Sequence, residues 1–177
     1  MKVKLKRFND EAVIPQKAYG KDFCFDLVAV SEEQIAPNVW KYGFGFGLQL
    51  VRDVSECARG AIMLECLVKN EISSYACTYS LDMTRADLNL SIDIRPRSSV
   101  WKTGMVLSNC VGTVDEGYTN EISAVFYHVL PDMPRYKVGD RIAQMKIGFT
   151  LPCEFVEVED FKDKTDRGLN GYGSTGL

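Results

Sequence analysis

Short runs of alternating or apolar residues, each closed within a few positions by Gly, Pro, Asn or Asp, follow one another along this chain and leave little room for a helix. A side-chain period of two suits a strand with one buried face, and the punctuating residues supply turns. The runs are 3–8, 23–30, 46–51, 61–68, 74–81, 88–94, 104–108, 122–129, 141–147 and 154–158. So many short strands predict an all-β barrel or jelly roll. The Gly-rich run 42–47 reads as a strand in which glycines allow close backbone packing. Only 31–35 reads as a helical turn, with Ser31 capping ahead of Glu32 and Glu33 and a stop before Pro37.

At 177 residues and 46% hydrophobic content the chain can bury roughly two-thirds of its unfolded surface in one domain. A net charge of −3 speaks against a general nucleic-acid binder, which needs a basic face for phosphates. A small polyanion is not excluded, since a few arginines focused in one cleft attract it whatever the global charge. The six cysteines form no Cys-x-x-Cys and follow no hydrophobic leader, which fits reduced thiols in a cytoplasmic protein. No apolar run approaches the ~20 residues of a membrane helix, so a soluble protein without a membrane partner is expected.

Five segments carry candidate chemistry. Asp26 interrupts an apolar strand, and a charge there needs a partner or a task. Pro96-Arg97-Ser98-Ser99 sets a guanidinium beside two hydroxyls at a strand end, a combination suited to an oxyanion. Asn109-Cys110-Val111-Gly112-Thr113-Val114-Asp115-Glu116-Gly117-Tyr118 is a polar-glycine hairpin with an acid and an aromatic three residues apart. Gly139-Asp140-Arg141-Ile142-Ala143-Gln144-Met145 opens a late strand. The tail Arg167-Gly168-Leu169-Asn170-Gly171-Tyr172-Gly173-Ser174-Thr175-Gly176-Leu177 joins backbone freedom, phosphate donors and one flat ring that a nucleobase could stack on. No Gly-Lys-Ser/Thr follows its glycines, so a P-loop is not indicated.

In this order the five segments resemble the motifs of the trimeric dUTPase family, from about Pro15 to the C-terminus. The resemblance implies a distorted jelly-roll β-barrel over residues 1–166 and a flexible Gly-rich arm, 167–177, that closes the active site. It implies hydrolysis of dUTP to dUMP and pyrophosphate, limiting uracil in DNA and supplying dUMP for dTMP synthesis. Asp115 then matches the acid that activates water, and Tyr118 the ring that packs under deoxyribose. Asn109, Gly112, Thr113 and Val114 match the uracil-reading hairpin. Arg97, Ser98, Ser99 and Gln144 match phosphate-binding positions. Arg167, Tyr172, Gly173, Ser174 and Thr175 match the arm that covers the nucleotide. Asp26 matches an aspartate that helps hold Mg²⁺ through water, and the family's sites are shared in a homotrimer. Asp140 and Arg141 read as a structural pair at a subunit contact. Cys24 and Asn120 stand where the family usually has Gly, and Tyr172 where Phe is common.

The 71 positions from Asp26 to Arg97 exceed the link in compact members. An insertion at about 52–87 is therefore expected, forming a β-hairpin or arm that could contact a protein partner. Two alternatives share the scaffold: a dCTP deaminase, and a non-catalytic regulatory protein.

Overall fold

The computed structural model describes residues 2–51, 62–70, 73–81, 89–150 and 153–159. Among them run twelve strands: β1 Lys2–Arg7, β2 Phe25–Val28, β3 Ser31–Ala36, β4 Val39–Gly43, β5 Phe46–Val51, β6 Ile62–Asn70, β7 Ser73–Leu81, β8 Asn89–Pro96, β9 Met105–Leu107, β10 Gly112–Val114, β11 Ser123–His128 and β12 Arg141–Thr150. The sole helical element among the described residues is the 3-10 turn Ser98–Lys102. No helix among them is long and apolar enough to cross a membrane.

Two four-stranded antiparallel sheets, in the orders β10-β8-β12-β2 and β3-β4-β11-β9, close with the β1-β5 ribbon on one core as a distorted jelly-roll barrel. The alternation read from sequence explains the layering. On β8, Leu90, Ile92 and Ile94 are buried while Ser91, Asp93 and Arg95 occupy the opposite face. On β2, Leu27 faces the core and Asp26 the other side. Tyr42, Phe126 and Tyr136 stack edge to face in the core, with centroids 6.0 and 5.5 Å apart. The buried Tyr42 hydroxyl donates to the Tyr136 carbonyl at 2.8 Å, which removes the cost of enclosing a polar group. Burial pushes that phenol's pKa up. Truncating Phe126, fully enclosed between the two rings, should cost about 3–5 kcal/mol.

The remaining pair, β6 and β7, forms the hairpin expected inside 52–87, in register from Ile62 opposite Leu81 to Asn70 opposite Ser73. Among the described residues these strands pair only with each other.

Three expectations need correction. Residues 31–35 are not helical: they lie in β3, which pairs with β4 from Ser31 opposite Gly43 to Ala36 opposite Val39. Pro37 and Asn38 make the intervening turn, and Asn38 takes φ 60°, the left-handed geometry that Asn tolerates. Cross-strand pairing outweighs the local capping signal. The run 42–47 is not one strand, because Gly45 at φ +73° turns the chain between β4 and β5. Residues 154–158 are irregular and exposed, with Phe155 at 95%, and no neighbouring strand among the described residues pairs with them. Alternation alone does not make a strand.

Candidate active site

The tight turn after β9 and the short β10 put the polar-glycine hairpin against the edge of β8, with Gly112 opposite Ile94 and Val114 opposite Ile92. Gly112 has no side chain, so the Asn109 amide folds close over it: a Cβ there would lie 3.1 Å from Asn109 Nδ2. Beyond β10 the chain turns again, the Tyr118 N–H donating to the Asp115 carbonyl at 3.0 Å. Acid and aromatic are thus the two ends of one turn.

These residues border a pocket of about 160 Å³, in which Asn109, Gly112, Thr113, Val114, Asp115 and Tyr118 meet. Its volume matches the roughly 150 Å³ of a cavity known to hold a benzene ring, so a single flat heterocycle fits. Ile94, Leu107, Ile122 and Ala124 form the apolar floor and Ser123 adds a hydroxyl. Sequence reasoning missed all five. Strand alternation marks the four apolar ones as core and carries no sign that they open into a pocket. The Tyr118 ring is 44% exposed, and its hydroxyl donates to the Glu121 carbonyl at 2.9 Å.

A second group gathers where β2, β12 and the end of β8 meet. Asp26 finds the partners its position demanded: Arg97 Nε donates to Oδ1 at 2.9 Å and Arg141 to Oδ2 at 3.0 Å. The Gln144 amide donates to the Pro96 carbonyl at 2.8 Å, which ties β12 to the start of the Arg97-Ser98-Ser99 turn. One carboxylate between two guanidiniums leaves the group with net positive charge, the requirement for an anion site. The expected Asp140–Arg141 pair does not form in this way. Arg141 is half-exposed and goes to Asp26, while Asp140 accepts the Lys137 N–H at 2.8 Å within its own turn.

The two groups stand apart. Arg97 lies five residues past the Ile92 that pairs with Val114, about 17 Å at the rise of a strand, and Asp115 continues the opposite way. Asp26 is three strands from β10, about 14 Å across the sheet. Arg167, Tyr172, Gly173, Ser174 and Thr175 lie outside the described residues.

Comparison with known proteins agrees with this architecture. The dUTPase family model matches residues 62–176. The chain is 32% identical to the deoxyuridine 5'-triphosphate nucleotidohydrolase of Helicobacter pylori strain J99, over 100% of this chain and 98% of that protein. It is 30% identical to the protein of that name from Clostridium novyi, over 100% of both chains. Among solved structures, the dUTPase of Staphylococcus bacteriophage 80alpha with dUPNHPP aligns over 99% of each chain, at TM-score 0.68 and 16% identity. The dUTPase of phage phi11 of S. aureus, in which a species-specific insert is visualised, aligns over 92% of this chain and 99% of its own, at TM-score 0.60 and 13% identity. With the family model covering well over half its length and relatives matching it end to end, this chain belongs to the dUTPase family.

Proposed function

We propose that the protein hydrolyses dUTP to dUMP and pyrophosphate, by attack of water at the α-phosphorus with Asp115 accepting the water's proton. The observation that carries this reading is the pocket in which the Asn109 amide, the Gly112-Thr113-Val114 backbone, Asp115 and Tyr118 converge on space for one ring. An amide with both donor and acceptor, beside strand backbone groups, can pair with the uracil edge. Cytosine reverses that pattern and would leave buried groups unpaired. Tyr118, on the rim of the pocket, would pack under the sugar and leave no room for a 2′-hydroxyl. As water's oxygen bonds to phosphorus, the bond to the bridging oxygen breaks and pyrophosphate departs with its electron pair.

The leaving group needs positive charge, and the group around Arg97 supplies it, with Ser98, Ser99 and Gln144 as further donors. At about 17 Å or more from the Asp115 end of the hairpin within one chain, that group is too far to serve the same nucleotide as its own Asp115. This separation supports a homotrimer in which one subunit's hairpin faces the arginine group of the next. Arg167, Tyr172, Gly173, Ser174 and Thr175 would close over the nucleotide from the C-terminal arm. Ordering its glycines would cost roughly 1–2 kcal/mol each, a cost that bound nucleotide would offset.

Mg²⁺ fits as an ion carried by the triphosphate. Among the described residues no cluster of three potential ligands exists. Each carboxylate oxygen of Asp26 accepts one guanidinium N–H and keeps a lone pair for a water in the ion's shell. When bound, the ion would neutralise phosphate charge. One of the phi11 phage dUTPase structures concerns coordination of a structural Mg(II) ion. A cytoplasmic role in limiting uracil in DNA and supplying dUMP accords with this chemistry. The β6–β7 hairpin is a candidate contact for a protein partner.

The test is a nucleotide panel with Mg²⁺ and chelator controls, run on wild type and Asp115→Asn. Pyrophosphate release confined to dUTP is expected, with turnover falling by about 10²–10⁴ in the variant while nucleotide still binds. Ammonia release from dCTP would replace this reading with the deaminase one.

A further inference from the structure

We infer that Glu121 is a positioning residue: it moors the Tyr118 wall of the pocket to the barrel core and thereby sets how well the site separates deoxyribose from ribose. The inference rests on the reading of Tyr118 as the sugar wall.

The segment that carries Tyr118 is exposed from Gly117 to Asn120, so its placement depends on what anchors it. Tyr118 is tied at its tip, the hydroxyl donating to the Glu121 main-chain oxygen at 2.9 Å. Glu121 is in turn fixed through its side chain, because Oε1 accepts the Gly45 N–H at 2.8 Å. A backbone bond to an ionised acceptor is stronger than a neutral one. The following residue adds two more links: the Phe44 N–H donates to the Ile122 carbonyl at 3.1 Å, and the Ile122 N–H to the Phe46 carbonyl at 2.8 Å. Phe44 and Phe46 are fully buried, so the far end of this chain of bonds is the core itself.

The local sequence clears the way for the carboxylate. A Cβ at Gly43 would collide with Glu121 Oε1 and with Ser31 Oγ. Gly45 takes φ +73° as the chain reverses, and it is its N–H that the carboxylate receives. Removing the carboxylate leaves the two Ile122 bonds in place but takes the acceptor from the Gly45 N–H, so the Glu121 carbonyl, with the Tyr118 hydroxyl on it, loses one of its ties to the core. A wall displaced by even an ångström no longer excludes one hydroxyl sharply.

The test measures kcat/KM for dUTP over that for UTP in Glu121→Ala, Glu121→Gln, Tyr118→Phe, Tyr118→Ala and the Glu121→Ala/Tyr118→Phe pair. Glu121→Ala should lower the ratio about tenfold or more, chiefly through a higher KM for dUTP and readier use of UTP. Glu121→Gln keeps an acceptor oxygen and should restore most of the ratio. Tyr118→Phe should lower it in the same direction, and the double variant should be little worse than Glu121→Ala alone, since both cut one line of attachment. A wild-type ratio in Glu121→Ala, alongside its collapse in Tyr118→Ala, overturns the inference and spares the sugar-wall reading. A ratio untouched by Tyr118→Ala overturns that reading and this inference with it. Should Glu121→Ala not fold, a wild-type ratio in Tyr118→Phe is decisive against the proposal.

Discussion

Two arginine clusters, on different sheets of the barrel, solve opposite problems. Arg135 places its guanidinium 3.7 Å over the Trp40 ring, forks onto both Glu32 oxygens at 2.9 Å, and reaches the Tyr42 hydroxyl and the Tyr136 carbonyl at 3.2 and 3.0 Å. One cation meets one anion, and a ring face, a hydroxyl and a carbonyl take up the rest. Around Asp26 two cations, Arg97 and Arg141, share one carboxylate. The first cluster is electrically closed and belongs to stability, clamping β3 and β4 to the 131–140 loop. The second carries surplus positive charge at a strand end, which costs self-repulsion until an anion arrives. Charge balance, more than the presence of arginine, separates this structural group from the proposed binding one.

That contrast can be broken experimentally. Arg97→Ala should lower kcat/KM by about 10²–10³, the loss usual when one charge-stabilising donor is removed, while thermal stability hardly moves because Arg141 still pairs with Asp26. Arg135→Ala should do the reverse. Losing the forked ion pair and the ring contact should cost about 2 kcal/mol in a urea titration, with KM for dUTP unchanged. If both variants lose stability equally and neither loses turnover, the distinction fails.

The smallest effect concerns pH. The hydrogen bond from Arg135 holds the Glu32 carboxyl below its ordinary range, and the same bond raises the guanidinium's hold on its proton. A carboxyl depressed in the folded state contributes stability above its unfolded pKa of about 4.3 and loses it as pH falls through the folded value. Urea midpoints measured from pH 6 down to pH 3 should therefore fall more for wild type than for Glu32→Gln. The difference should stay below about 1 kcal/mol, as for a partly exposed pair.

What the sequence made legible was local. Asn109 to Tyr118 fall within one hairpin, so their spacing already carried the geometry that the pocket realises. Alternation on β8 matches its buried face of Leu90, Ile92 and Ile94. The partners of Asp26 lie 71 and 115 positions away, and Glu32 is 103 from Arg135. No periodicity reports such pairings, because they arise when sheets close. The same limit explains β3. Ser31-Glu32-Glu33 carries a genuine cap signal, but the competing hairpin through Pro37 and Asn38 depends on β4, which a short window around Ser31 does not include.

The distance between hairpin and arginine group has a genetic corollary. Asp115→Asn and Arg97→Ala would damage groups well separated along β8, so chains bearing one lesion would still carry the intact half that the other lacks. If the subunits share their sites as proposed, mixed rings assembled from the two inactive proteins would contain some interfaces with both halves sound, and activity would return on mixing without either chain being repaired.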